Sequence, residues 1–533
     1  MLRTITVASE RLERLTEVTN DTSKLGLTAL SGVIALLVAS PLLWIALRAT
    51  QVDPDRALEL LISVRTGDIL LTSLGLTLGV TVFSILIGVP LAVLTTRSDL
   101  PHRRFWTIVA ALPLVIPSYI GAFAFVSAFG RHGEVSEFLG VPMPRIQGLA
   151  GATLIITLYT YPYVFLTTRA ALLSMDSSLV DAARTLNADR LEAFRRVTLP
   201  QIRPAIAAGA LLAGLYAISD FGTPAFLHVE VFTSAIYWEF GAINVEYAAL
   251  LSLQLLAVTG IILLIEAKVG KDEDASGGSA TGAQIRLGRW KWPAMGGIAG
   301  IGIVTLVVPI AIFGIWLVRG TGGSAPTYAF EWAYALNSVY LAALAAIVAS
   351  AFALPVGYLA ARSDSLLARL FERVTYVGFA VPGVVIGLAL VFFGANYAGW
   401  IYRTVPLLVF AYVVRFLPQA VSTTRTSVLQ VDDRLPEAAR TLNAGRVETF
   451  RRVTLPLIAP GVVAGGVLVF LTTMKELPAT LMLQPIGMDT LVTLIWSAHG
   501  TAYYRYAALP ALILVVISGL SMLVLLRQED FNA

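Results

Sequence analysis

Apolar positions along this chain fall in long continuous runs parted by short polar stretches. That is neither the alternation of a half-buried strand nor the one-sided stripe of a surface helix. Runs occupy about 25–47, 68–95, 105–129, 149–173, 204–221 and 246–266, then about 295–318, 336–361, 374–394, 404–424, 457–474 and 504–526. Most reach the roughly 20 residues that a helix needs to cross a bilayer. The pattern predicts an all-α, polytopic membrane protein of about 12 transmembrane helices. The fifth and eleventh runs are short, rich in Gly and Ala, and follow a proline, so they are expected inside the bundle, where small residues allow close helix packing. Residues 267–294 break the rhythm with the charged, Gly/Ser-rich stretch Lys271-Asp272-Glu273-Asp274-Ala275-Ser276-Gly277-Gly278-Ser279, which reads as a flexible linker. The chain therefore divides into a first six-span half (1–266), a linker (267–294) and a second six-span half (295–533).

Composition agrees. Of the 533 residues, 57% are hydrophobic and only 14% charged, against about 25% charged in an average soluble protein. Cysteine is absent, which excludes disulfides, thiolate metal sites and cysteine nucleophiles. His102, His132, His228 and His499 lack ligand spacing, and no metal-ligand set or catalytic residue is assigned. Residues 1–24 are polar and mixed in charge, and the first run lacks a small-residue cleavage site, so it is expected to stay as a span.

The net charge of +4 would suggest nucleic acid in a soluble protein. Here the basic residues sort by loop instead. Most of the 38 Lys and Arg lie before span one or after spans two, four, six, eight, ten and twelve; the alternate loops hold Arg48, Arg56, Arg65, Arg131, Arg145, Arg319, Arg403 and Arg505. Basic loops face the cytoplasm, so both termini are expected there. Without an aromatic-interleaved basic patch, no nucleic-acid partner is expected.

The halves are copies. Asp181-Ala182-Ala183-Arg184-Thr185-Leu186-Asn187-Ala188 and Phe194-Arg195-Arg196-Val197-Thr198-Leu199-Pro200 recur as Glu437-Ala438-Ala439-Arg440-Thr441-Leu442-Asn443-Ala444 and Phe450-Arg451-Arg452-Val453-Thr454-Leu455-Pro456, at one constant offset. Pro90, Arg97, Ser98, Asp99 and Pro117 match Pro355, Arg362, Ser363, Asp364 and Pro382 at a slightly larger offset, so the second half is shorter, most simply in the outer loop containing 131–148. An even number of spans per half makes the repeat parallel, with a pathway between the halves. The repeated segment reads as helix, break, helix. Asn187 and Asn443 suit the turn, because Asn tolerates positive φ, Asp189 and Gly445 are plausible N-caps, and Leu-Pro opens the next span.

This segment resembles the EAA motif of ABC importer permeases: Glu-Ala-Ala, three residues, Gly, nine residues, Ile-x-Leu-Pro. Asp181 in place of Glu, and Asn187 and Asn443 in place of Gly, are mild departures. The resemblance implies a type I permease of the fused, two-half kind, with two ATPase-coupling segments: Asp181, Ala182, Ala183, Asn187, Leu199 and Pro200 in one, and Glu437, Ala438, Ala439, Asn443, Leu455 and Pro456 in the other. It implies a cytoplasmic dimer of ATP-binding subunits, an extracytoplasmic solute-binding protein, and ATP-Mg bound on the partner. The chain itself shows no Gly-x-x-x-x-Gly-Lys-Ser/Thr loop, so it is read as a permease subunit, not an enzyme.

Asp220 and Glu476 are repeat-equivalent, and Lys475 adjoins the second. Ionisable groups at this depth face a cavity or a partner. They are either gating or pathway residues, or a structural ion pair of Lys475 with Asp220 or Glu476. Arg415 is open to the same two readings, and Tyr159, Tyr161 and Tyr163 are expected to pack at the interface. The run Met474-Lys475-Glu476-Leu477-Pro478-Ala479-Thr480-Leu481-Met482, with Gly487-Met488-Asp489-Thr490-Leu491, is similar to the corresponding segment of fused ferric-iron permeases. That implies ferric iron as cargo, with Asp220 and Glu476 as possible oxygen ligands. Related permeases for thiamine, sulfate, phosphonate or polyamine share the architecture. A secondary transporter of the major facilitator type also has two parallel halves, but the doubled motif and the absence of Gly-x-x-x-Asp-Arg-x-Gly-Arg-Arg after span two weigh against it.

Overall fold

The computed structural model describes residues 2–130, 133–175, 185, 189–269, 285–319, 330–432, 434–442, 444–501 and 503–531. Asp181, Ala182, Ala183, Asn187 and Asn443 lie outside the described residues. Among those described, nine helices are long and apolar enough to cross a membrane: Leu25–Thr50, Val64–Arg97, Gly148–Ser174, Phe194–Ser219, Val245–Ile265, Gly288–Arg319, Trp332–Arg362, Val405–Gln430 and Val447–Met474. They correspond to spans one, two, four to eight, ten and eleven. Helix Ala508–Phe531 covers the twelfth run.

Spans three and nine are not straight. Arg103–Val115 and Ser118–Ala128 meet at 88°, and Leu366–Ala380 and Gly383–Tyr397 at 103°. The residues at the bends are Pro117 and Pro382, which cap the second arms. A proline has no N–H for the helix ladder and excludes the α region for its predecessor, so the apolar run continues while the helix stops.

The motif's second helix does not stop before its span. Helices Arg190–Ala193 and Arg446–Thr449 continue through a wide π turn, Phe194–Thr198 or Phe450–Thr454, into spans five and eleven. A third π turn, Ile303–Val307, lies in span seven. Each is followed after one residue by a proline: Pro200, Pro456 or Pro309. A proline ring collides with the carbonyl four residues back, and the wider turn moves that carbonyl aside.

Spans five and eleven do make the close contacts expected of small residues. A Cβ on Gly209 would lie 2.7 Å from Val164 Cα, and one on Gly465 would lie 2.9 Å from Ala420 Cα, at repeat-equivalent crossings of spans four and ten. The expectation of an interior helix fails for the rest of span eleven, the least buried of the nine at 22%, whereas span five, at 44%, is exceeded only by spans four and ten. Small residues bring one face close but say nothing of the other.

Each half lends its first span to the other. Span one runs along both arms of span nine and along span eight, with Trp44 4.8 Å from the Phe393 ring. Span seven runs along both arms of span three, where Phe313 stacks on Phe123 at 6.2 Å. The two large cores accordingly mix residues of both halves.

The linker's last residues are docked on the first half. Ile285 pairs with Ser98 in a parallel bridge, and the Leu287 amide donates to Asp99 Oδ1 at 2.7 Å. At the opposite end four arginines face acids. Arg48 and Arg56 face Glu246 at 3.7 and 3.5 Å, Arg65 bridges Glu230 and Glu239 at 2.7 and 2.6 Å, and Arg319 pairs with Glu134.

Candidate functional site

Two regions carry the chemistry. The first is a hairpin at the basic end. Helix Arg434–Thr441 holds Glu437, Ala438 and Ala439 and has no buried residue. Its root is fixed: Phe450 packs edge-on against Tyr358 at 5.6 Å, and Leu455 joins the cluster of Val428, Val431 and Ile458. Arg362 Nη2 donates to the Val431 carbonyl at 3.0 Å, tying span eight to the foot of the hairpin, and in the first half Arg97 Nη2 donates to Leu172 O at 2.8 Å, one turn earlier in the repeat. The tip is free. Leu435, Leu442 and Val447 are 48%, 83% and 81% exposed. Three large apolar side chains on a polar tip mark a protein-docking surface. In the first copy, Asp189 caps its helix as expected, accepting from the Glu192 amide at 2.6 Å. Leu199 packs on that half's basic-end core, and Pro200 and Pro456 are exposed just after the π turns.

The second region is a buried polar cluster where the bent spans meet the ends of spans five and eleven. Asp220 ends span five. Its Oδ2 accepts from Ser118 Oγ at 2.8 Å, and its Oδ1 accepts from the amides of Gly222 at 3.1 Å and Thr223 at 3.5 Å. Ser118 also meets the Tyr216 hydroxyl at 3.0 Å. Glu476 occupies the equivalent place with different partners. Arg415 Nε lies 3.1 Å from its Oε2, and the Ala479 amide donates to Oε1 at 3.3 Å. Gly383 stands where the first half has Ser118, and a Cβ there would lie 2.1 Å from Glu476 Oε1 and 2.5 Å from Arg415 Nη1. Both carboxylates thus sit against the N-terminus of a bent span's second arm, whose dipole favours negative charge.

The structural ion pair exists, but its cation is Arg415. Lys475 pairs with neither carboxylate. Its Nζ crosses between the halves and donates to the Val115 carbonyl at 2.6 Å. The repeat counterpart of Arg415 is Tyr159, so comparing the two copies gives no hint of a cation there. Arg415 Nη1 and the Tyr119 hydroxyl are buried without a hydrogen-bond partner. The tyrosines of span four pack internally, not at the membrane interface. Tyr159 donates to Thr305 O at 3.1 Å, Tyr161 donates to Ala110 O at 2.8 Å, and the Tyr163 ring lies 6.3 Å from that of Tyr216. Asp220 and Glu476 are each satisfied within their own half. Among the described residues no group of three or more His, Asp or Glu is placed to hold a metal ion.

Residues 84–269 and 353–530 each match the family described as binding-protein-dependent transport system inner membrane component. The chain belongs to that family. The permease is 32% identical to the Fe(3+)-transport system permease protein FbpB 2 of Haemophilus influenzae over 95% of its own length and 98% of that relative's. It is 24% identical to the ferric transport system permease protein FbpB of Actinobacillus pleuropneumoniae, covering 82% of the permease and 67% of the relative. The molybdenum transport system permease protein ModB of Mycobacterium tuberculosis matches 37% of the permease at 32% identity. The match in both halves fits the all-α, two-repeat architecture and a multi-pass inner-membrane protein.

Proposed function

We propose that this permease moves ferric iron, delivered by an extracytoplasmic binding protein, across the inner membrane, driven by a separate ATPase dimer that binds ATP-Mg. The observation that carries the coupling is the hairpin of Glu437, Ala438 and Ala439, rooted in the bundle and apolar at its tip. Such a knob fits a socket on another protein. Its copy at Asp181, Ala182, Ala183 and Asn187 serves the second ATPase subunit, and Leu199-Pro200 and Leu455-Pro456 transmit the movement directly into spans five and eleven. The basic end faces the cytoplasm, and both termini lie there. The sorting of most Lys and Arg to the loops of that end supports this orientation.

The cargo assignment rests on the full-length likeness to the Fe(3+) permease of Haemophilus influenzae. Spans five and eleven join each coupling hairpin to one carboxylate of the polar cluster, so movement of the hairpins repositions Asp220 and Glu476. Lys475 on the Val115 carbonyl latches the halves in the present conformation. Asp220, held only by neutral donors, is free to meet a cation when the halves part; Glu476, neutralised by Arg415, is the structural partner. The test is uptake of radiolabelled ferric iron by cells lacking the chain, complemented with wild type or Asp220→Asn, with molybdate and thiamine uptake measured beside it. Lost iron uptake restored by wild type but not by Asp220→Asn is expected. Normal iron uptake with loss of another solute would overturn the cargo and leave the permease standing.

A further inference from the structure

The basic end carries an asymmetry that the transport cycle does not use. Arg103 opens the first arm of span three, and Arg286, Arg289 and Lys291 surround the start of span seven. The fold brings them together. The Ser98–Ile285 bridge and the Leu287–Asp99 bond fix one end of the contact. Further along, a Cβ on Gly302 would lie 2.6 Å from Val109 Cγ1, so span seven and this arm run side by side in the same direction. Their basic beginnings therefore share one place at the membrane surface.

None of the four cations forms an ion pair among the described residues. The nearby carboxylate of Asp99 is spent on the Leu287 amide. Beside them Trp290, Trp292 and Phe105 are 65%, 69% and 57% exposed, as aromatic rings are at the level of lipid headgroups. The first arm of span nine differs from that of span three at two positions. Ala368 stands in place of Arg103, and Glu372 in place of Thr107, where it pairs with Arg425 at 3.3 Å.

We propose that this face is a binding site for an anionic phospholipid of the adjoining leaflet, its phosphate held by Arg103, Arg286, Arg289 and Lys291 and its acyl chains lying against Trp290, Trp292 and Phe105. Charge complementarity and position select this occupant: a basic cluster directly beside a span meets the negative surface of the bilayer. The inference is independent of the cargo.

The full chain is reconstituted in nanodiscs of phosphatidylcholine with a minority of phosphatidylglycerol, and retained lipid is counted by native mass spectrometry. Wild type is expected to retain phosphatidylglycerol preferentially. The Arg286→Gln/Arg289→Gln/Lys291→Gln variant is expected to lose that preference by at least about fivefold, roughly the effect of one basic side chain near a charged surface. Arg369→Gln/Arg373→Gln, on the other half, keeps it. Should the triple variant fail to fold, quenching by brominated phosphatidylglycerol against brominated phosphatidylcholine is compared in wild type and Trp290→Phe/Trp292→Phe. A larger loss of quenching with the anionic lipid supports the site, and equal loss overturns it. A folded triple variant that keeps its lipid preference but no longer stimulates the ATPase also overturns it, assigning the patch to a protein contact.

Discussion

Removing either member of the Arg415–Glu476 pair should cost far more than removing both. The groups lie 3.1 Å apart with side chains 20% and 6% exposed. At an effective dielectric constant of about 20 such a pair attracts by about 5 kcal/mol, and desolvation takes most of that back. Arg415→Met leaves a buried carboxylate with one amide donor at 3.3 Å. Glu476→Gln leaves a guanidinium whose Nη1 already has no partner. Each single variant is expected to lose about 3–5 kcal/mol, the usual cost of stranding one buried charge. The double variant replaces the pair with neutral groups of similar size, so it should fall well short of the sum, giving a coupling energy of at least about 2 kcal/mol. Equilibrium unfolding in mixed dodecyl maltoside and SDS micelles, followed by circular dichroism, provides all four corners of the cycle. Losses that add to within about 0.5 kcal/mol would refute the pairing.

Three further outcomes follow from the geometry. Glu437→Arg, or deletion of Ala438-Ala439, should abolish stimulation of the partner ATPase, and Leu442→Asp should do the same with stability unchanged within about 0.5 kcal/mol, since this side chain is 83% exposed; the check is ATPase turnover in proteoliposomes. Gly209→Val and Gly465→Val should each destabilise by about 1–3 kcal/mol, because the obstructing atoms include neighbouring backbone, whereas Gly260→Ala meets nothing within 4 Å and should be neutral or slightly stabilising in the same unfolding assay. Chains divided between Gly277 and Gly278 should copurify through a tag on one piece, since spans one and seven each pack on the opposite half; recovery of the tagged half alone would contradict that exchange.

Much of this was legible in the sequence, for identifiable reasons. Hydropathy marks spans because every residue facing lipid must be apolar, and the repeat is visible because both hairpins keep the same residues. The bends at Pro117 and Pro382 were missed because a broken helix in the same solvent stays equally apolar. The exchange of spans one and seven leaves no trace in hydropathy, which reports the surroundings of a helix but not which helix lies beside it. The sequence leaves Lys475 open to a pair with Asp220 or Glu476, but successive residues at the end of a helix point apart, and its ammonium reaches the Val115 carbonyl in the other half. The partner of Glu476 came from a position where the two copies diverge, so comparing them could not disclose it.

The exchange of first spans also sets a timetable for assembly. Span one is complete once Thr50 has been made, but its main neighbours, spans eight and nine, end near Tyr397. At roughly 5–20 residues per second, a translating ribosome takes on the order of 20–70 seconds to cover that interval. Throughout it, span one waits in lipid with the face meant for Phe393 uncovered. The first half cannot finish its own bundle either, because span three awaits span seven. A single chain turns that wait into a search at high local concentration, so each first span meets the half made on the same ribosome before that of another molecule. Fusion of the two halves thereby governs the fidelity of membrane insertion as well as subunit stoichiometry.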